Sequence, residues 1–394
     1  MAGKSPPSGE QVAQEHSIMG FTFTTPGRVV HEWGGATGGR LADEAKRFGT
    51  SPLVVAGASL QKSGKLDAIL DTLRRAGLSP TVHTGVPPEP DLDALQAAMN
   101  AAEYADSVIA IGGGSVLDVA KGAAALAGTG ASARDYHAGR VAVPDAVSRP
   151  IIAVPTTAGT GSEATWVGVY TDKEAGRKAS IRGGAMMPVV AFLDAELTVS
   201  CPPDVTAYSG MDAFVQAVEA YTSVGANPLT DALAFDAAKH IAGNLFAAFD
   251  DGADKDARKA MLLASYMAGV ALNTSRLGLV HGLAHPVGAV TGAAHGLLCG
   301  LLFPEVIRFN AAHVGGKYEA VNAAAYDAPG GDTLAGMVEA SLSDMRIPHR
   351  LSEIGLREQH IEAVAQEAMT SGSTKANPRP VTIDDARAVL LSCL

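Results

Sequence analysis

Cysteine is scarce in this 394-residue chain: Cys201, Cys299 and Cys393 are all there are. They are too few and too scattered for a disulfide framework or a cysteine-type zinc ribbon, and reduced thiols are expected. Cys299 stands four residues after His295, a spacing that can share a helical face, yet a small buried hydrophobe is its expected role. Basic runs are missing too. The formal net charge is -11, which argues against nucleic acid or an anionic membrane as the main partner. No uninterrupted apolar stretch is long enough to span a bilayer, and Met1 to Glu10 is polar and Pro/Gly/Ser-rich rather than a signal peptide. These absences point to a soluble, cytoplasmic protein. Internal repeats and low-complexity segments are also lacking, apart from a bias to alanine.

A chain of this length exceeds the usual span of one hydrophobic core, so two domains are expected. After a flexible start at 1–20, Phe21 to Val30 carries alternating β-formers, and Ser51 to Ala56 and Ser107 to Ile111 are compact apolar runs that read as strands. Leu41 to Phe48, Leu66 to Ala76, Leu92 to Tyr104 and Val116 to Leu126 have apolar residues at helical spacing. This alternation implies a mostly parallel sheet covered by helices, the α/β class. From about Ala195 the strand pattern stops. Ala213 to Thr222, Leu229 to Phe249 and Asp256 to Leu272 read as long helices, so the second domain is expected to be nearly all helix. Cys201-Pro202-Pro203 breaks the chain near the boundary, dividing it into 21–196 and 197–394.

Two loops at strand ends suit a phosphate. Gly112-Gly113-Gly114-Ser115 follows an apolar strand and opens a helix, offering backbone N–H groups with no Cβ in the way; glycines there can equally serve the turn alone. The next apolar run, Ile151 to Pro155, leads into Thr156-Thr157-Ala158-Gly159-Thr160-Gly161-Ser162-Glu163. In an open α/β sheet ligands bind at the carboxyl ends of strands, where the two loops would face each other, and a nucleotide is the natural occupant. The G-x-G-x-x-G spacing is not met, and no Lys-Ser/Thr pair follows the glycines as in an NTPase P-loop.

The densest chemistry lies further on. His281, His285 and His295 fall within an apolar stretch in Gly278-Leu-Val-His-Gly-Leu-Ala-His-Pro286 and Gly292-Ala-Ala-His-Gly296. Buried imidazoles need something to satisfy their nitrogens; a divalent cation would serve, and separate bonds to backbone carbonyls are the alternative. Upstream, Asp212 and Gln216 are four apart on one helical face and can present oxygen to a single point.

On these motifs the chain resembles the iron-containing (group III) alcohol dehydrogenases from about Phe21 to Asn377-Pro378-Arg379. The resemblance rests on Gly112 to Ser115 with Asp118 and Lys121, on Pro155 to Glu163, on Leu193-Asp194, on Gly210 to Ala213 and on the two histidine segments, all in the family's order. It implies a dehydroquinate synthase-like fold, with an α/β dinucleotide-binding domain, an all-α metal-binding domain, and cofactor and metal in the cleft between them. Asp212, His281 and His295 then become metal ligands and His285 a proton relay. Gly112, Gly113, Gly114 and Ser115 would hold the pyrophosphate near Asp118, and Thr156, Thr157, Thr160 and Lys178 would line the nucleotide and its ribose. The implied activity is NAD(P)H-linked reduction of a small aldehyde, or the reverse oxidation, by a homodimer or larger homo-oligomer. A maleylacetate-type reductase, a hydroxyacid–oxoacid transhydrogenase and a catalytically inactive nucleotide-binding protein are the alternatives.

Three positions depart from the family pattern. Gln216 replaces a usual histidine ligand, so that zinc becomes an alternative to iron(II). Gly57 stands where many relatives have an aspartate that binds the adenosine ribose; with Lys62 or Lys65 near, NADP is expected to serve at least as well as NAD. Arg276 lies five residues before His281, where small or apolar residues are frequent, and could pair with an anionic group on the substrate or form a salt bridge between helices.

Overall fold

The computed structural model describes residues 20–326 and 333–394; the expected flexible start lies outside them except for Gly20. Among the described residues there are eight strands: β1 (Arg28–His31), β2 (Pro52–Ala56), β3 (Thr81–His83), β4 (Ser107–Gly112), β5 (Ile151–Pro155), β6 (Val167–Asp172), β7 (Arg177–Arg182) and β8 (Val190–Leu193). Six of them form one parallel sheet in the order β1-β8-β5-β4-β2-β3. Every residue of β2, β4, β5 and β8 is buried, because helices cover both faces. That is why these strands read as continuous apolar runs.

The period of two is still visible in what each residue touches. Leu53, Val55, Val108, Ala110, Ile151 and Ala153 pack on one face with helices Leu92–Ala101 and Gly114–Leu126. Val54, Ala56, Ile109, Ile111, Ile152 and Val154 pack on the other with helix Lys65–Arg75. A strand over Phe21 to Val30 is not formed: only Arg28–His31 is extended, because its partner β8 offers four residues. β6 and β7 make a separate antiparallel hairpin that the alternation of strand and helix does not anticipate.

Past Leu193 the described residues contain no further strand. Pro203 takes the first turn of helix Pro203–Thr222, where its missing N–H costs nothing. Helices Pro228–Asp250, Lys255–Ser275, Leu279–Thr291 and His295–Asn310 pack around it, and one large apolar core runs through this half. The molecule is therefore an α/β layer followed by an all-helical half. No helix among the described residues is long and apolar enough to cross a membrane.

Candidate metal centre and cofactor cleft

Three helices deliver four donor atoms to one point. Helix Pro203–Thr222 brings Asp212, helix Leu279–Thr291 brings His281, and helix His295–Asn310 brings His295 and Cys299. Their ligand atoms all lie within 4.8 Å of one another. Asp212 Oδ1 is 3.3 Å from His281 Nε2 and 3.8 Å from His295 Nε2. This close approach depends on Gly296, since a Cβ there would run into the Tyr208 carbonyl oxygen of the Asp212 helix.

A carboxylate orients the first imidazole. Glu219 Oε2 is 2.7 Å from His281 Nδ1, and the same carboxylate accepts the N–H groups of Gly278 at 2.9 Å and Val280 at 2.7 Å. It therefore caps the helix that carries His281 while fixing its ring. The side-chain oxygen of Asn377 accepts the neighbouring Leu279 N–H. Glu219 was not singled out by sequence, although its spacing offers a signal: Asp212, Gln216 and Glu219 fall at i, i+4 and i+7, one stripe of a helix.

The electrostatics call for a cation. Asp212, Glu219 and His281 are each at most 5% exposed. Burial raises the Asp212 carboxyl, but bonds and charges from His281 and His295 outweigh it and hold it below the usual carboxylate range. Burial likewise lowers His281, yet Cys299, Asp212 and Glu219 hold it well above its ordinary value. The cluster thus favours negative charge on Asp212 and positive charge beside it. Gln216 Oε1 is buried beside them with no hydrogen-bond partner, an unsatisfied oxygen on the same helical face as Asp212. An orphaned acceptor among converging carboxylate, imidazole and thiol donors fits a divalent metal.

His285 does not join the donor cluster. Its ring stacks on that of His295 at 4.9 Å, with the planes 19° apart, and keeps access to solvent from the cleft. Desolvation by the surrounding protein, then the charges of His295 and Lys178, push its imidazole well below the ordinary histidine value. It is a neutral ring at the edge of the metal cluster.

The two glycine- and threonine-rich loops do face each other. β4 and β5 are neighbours in the sheet, Thr156 N donates to Gly112 O at 3.0 Å, and a Cβ on Gly114 would come within 2.8 Å of Thr160 Cγ2. The same loop reaches the metal half: a Cβ on Gly159 would lie 2.7 Å from Ser209 Cβ, three residues before Asp212. Gly112 to Ser115, Thr156, Thr157 and Thr160 therefore stand between the sheet and the helix that carries Asp212.

Asp118 faces inward instead. Its carboxylate accepts Ser162 Oγ at 2.5 Å and Val169 N at 2.9 Å and pairs with Lys121. Lys121, fully buried, also donates to the carbonyls of Ser162 at 2.9 Å and Val167 at 2.5 Å. The pair ties the threonine loop to the hairpin rather than reaching toward the nucleotide.

Lys178 pairs with Glu89 and lies within electrostatic reach of His285. Gly57 closes β2 at φ -74 and donates its N–H to Ile111 O at 3.0 Å. Lys65 is committed elsewhere, to the Glu196 carbonyl at 2.9 Å, which leaves Lys62 exposed near Gly57. Arg276 caps helix Lys255–Ser275 with φ 69, a backbone region that favours glycine. The salt bridge between helices open to it is not made: among the described residues no carboxylate lies within 4.0 Å of its guanidinium. Its charge instead reaches Arg182, which desolvation and Arg276 together hold below the ordinary arginine value. Lys178 and Arg182 sit on one face of β7, so the three cations follow one another along the cleft.

Comparison with known proteins agrees with this arrangement across nearly the whole chain. The family model described as iron-containing alcohol dehydrogenase matches residues 26–195, and the one described as the C-terminal part of the Fe-containing alcohol dehydrogenase family matches 206–394. A lactaldehyde reductase of Escherichia coli K12 is 36% identical over 357 residues, covering 88% of this chain and 93% of that protein. Among solved structures, a 1,3-propanediol oxidoreductase superposes with a TM-score of 0.90 at 30% identity, over 95% of this chain and 100% of the other. A sulfoacetaldehyde reductase from Bifidobacterium kashiwanohense in complex with NAD+ gives 0.86 at 30% identity, over 95% and 99%.

Proposed function

The chain belongs to the iron-containing alcohol dehydrogenase family, and from that premise we propose that it reduces small aldehydes bearing an anionic group. It is an NAD(P)-linked oxidoreductase acting on CH–OH groups and their carbonyl counterparts. The observation that carries the site assignment is the convergence of the Asp212, His281 and His295 donor atoms on one point, with Gln216, whose Oε1 has no hydrogen-bond partner, one helical turn from Asp212. In this reading Asp212, His281 and His295 hold the metal and Gln216 adds a neutral oxygen donor.

When bound, the metal supplies Lewis-acid polarisation of the substrate carbonyl and the nicotinamide supplies hydride. The rest falls to the chain's own residues. Glu219 keeps a proton on His281 Nδ1, so that Nε2 presents its lone pair to the donor cluster. His285, neutral and stacked on His295, passes a proton through a ring nitrogen between the cleft and the substrate oxygen. Gly112 to Ser115 cradle the pyrophosphate, Thr156, Thr157 and Thr160 bound the nucleotide, and Lys178 reaches the ribose. Asp118 acts through Ser162, holding the threonine loop in place.

Arg276, without an acidic partner and close to Arg182, receives the substrate's anion. A solved neighbour is named a sulfoacetaldehyde reductase, which supports this class of substrate. The absence of a carboxylate at Gly57 supports use of NADP alongside NAD. Three unpaired cysteines suit a reducing cytoplasm, and the half-exposed edge strand β1 supports a homodimer.

The test is consumption of reduced nicotinamide by chelator-stripped protein resupplied anaerobically with iron(II) or zinc, with neutral and anionic aldehydes of equal chain length. Metal-restored activity that favours the anionic series is expected. Activity indifferent to stripping overturns the metal assignment, and equal efficiency on both series overturns the anionic substrate.

A further inference from the structure

Cys299 occupies a position that the three ligands do not account for. Its sulfur is fully buried, in the helix that begins at His295 and one turn beyond that residue. It lies 3.6 Å from His295 Nε2 and 3.8 Å from His281 Nε2, and within 4.8 Å of the Asp212 donor oxygen. A thiol serving only as packing would turn its sulfur toward aliphatic carbon; this one faces two imidazole nitrogens.

The distances have a geometric meaning. A tetrahedral zinc ion with bonds of about 2.3 Å to sulfur and about 2.0–2.1 Å to nitrogen and oxygen separates N from O by about 3.3 Å and N from S by about 3.6 Å. Here the N–O separations are 3.3 and 3.8 Å and the N–S separations 3.6 and 3.8 Å. Four of the six edges of one coordination tetrahedron are thus close to their expected lengths, and the other two, sulfur to oxygen and nitrogen to nitrogen, are at most 4.8 Å.

Charge points the same way. With Asp212 as carboxylate and Cys299 as thiolate, a divalent ion is neutralised within its own ligands, while the buried Glu219 carboxylate is held by the His281 ring and two backbone N–H groups. Thiolate is also the donor type that favours zinc among the metals a histidine and carboxylate site accepts.

We propose that Cys299 Sγ is a thiolate ligand of the metal, completing an Asp212/His281/His295/Cys299 set that prefers zinc to iron(II). The thiol proton leaves to solvent as the S–metal bond forms, and no redox change is involved. Cys299 then takes the place given above to Gln216, which becomes a neighbour of the ion and not a ligand. The inference rests on the metal reading given under Proposed function.

Cobalt(II) chloride is the probe that separates the two readings. Chelator-stripped full-length protein loaded anaerobically with cobalt(II) is expected to show visible d–d bands and, in the near ultraviolet, a thiolate-to-cobalt charge-transfer band. Cys299→Ser should lose the charge-transfer band while still binding cobalt, and Cys201→Ser should keep it. Bound cobalt with d–d bands but no charge transfer in the unaltered protein overturns the cysteine ligand and leaves the metal centre intact; this measurement needs no variant to fold. Failure of the unaltered protein to bind cobalt at all overturns both.

A second readout is retention of metal after desalting from an equimolar zinc and iron(II) mixture. Zinc is expected in excess, and Cys299→Ser should reduce the zinc-to-iron ratio by roughly tenfold or more, in line with the loss of a metal-site partner. An unchanged ratio overturns the proposed preference.

Discussion

Glu219 grips His281 from behind: its Oε2 stands 2.7 Å from Nδ1 while both carboxylate oxygens take amide protons from the first residues of the same helix. One side chain thus ends the loop at Gly278, starts the helix and holds the ring by Nδ1, turning Nε2 toward Asp212. Packing and ring orientation are coupled here, so a change at Glu219 is expected to reach the proposed metal site without touching it. Glu219→Gln keeps the shape but removes the charge, and an amide cannot accept all three donors. Metal affinity is expected to fall by roughly 10- to 100-fold. Competition for zinc against a chromophoric chelator measures this. An affinity within a factor of two of the unaltered protein would show that Glu219 serves only as a helix cap.

Much of this arrangement is legible in the sequence where one residue type has one physical outcome. Fully buried parallel strands must be continuous apolar runs, so β2, β4 and β5 declare themselves, and the paired loops after β4 and β5 follow from their glycines and threonines. Other features depend on partners distant in the chain. Phe21 to Val30 has strand-like residues, yet only Arg28, Val29 and Val30 of these, with His31 after them, find a ladder opposite Val190–Leu193. The β6–β7 hairpin owes its position to Lys121, which reaches Val167 O from a helix 46 residues earlier. Cys299 reads as a small hydrophobe, and is buried as one; what spacing along its own helix does not reveal is that His281, on another helix, meets it from the opposite side.

The proposed use of NADP is tested at Gly57. A Cβ there meets Val116 Cγ2 at 3.5 Å and nothing closer, and φ is -74, so a side chain is accommodated without strain. Gly57→Asp places a carboxylate at the end of β2, where it accepts from a ribose hydroxyl and repels a 2′-phosphate. The ratio of kcat/KM for NADH over NADPH is expected to rise about tenfold or more, an electrostatic effect of ordinary size for a pair near a protein surface. Steady-state kinetics with both coenzymes and one aldehyde decide it, and an unchanged ratio would mean the ribose is held elsewhere.

The proposed anion site at Arg276 is tested by removing its charge. A guanidinium bond to an anion contributes about 1.5–3 kcal/mol, so Arg276→Ala should lower kcat/KM roughly 10- to 100-fold for anionic aldehydes and by less than about threefold for neutral ones. Arg276→Gly controls for the backbone, since glycine adopts φ 69 freely. Equal losses in both series would assign the effect to that backbone rather than to charge.

Glu163 supplies a pH dependence that is separate from the metal. It is 1% exposed with an unpartnered Oε1. Burial pushes its carboxyl up to about 7 from 4.5, against the smaller opposing pulls of a backbone bond and the Lys121 charge. Between these two values the unfolded chain gives up a proton that the folded chain keeps. The stability Glu163 contributes is therefore fully present below pH 4.5 and lost as pH rises to about 7, a change of about 3 kcal/mol for a shift of this size. Glu163→Gln carries no such proton. Urea unfolding at about pH 4.5 and about pH 8 should accordingly show the variant gaining on the unaltered protein by about 3 kcal/mol between the two conditions. Parallel profiles would mean that the buried carboxylate is already ionised throughout, held by Lys121, and that the loop between cofactor and metal tolerates its charge.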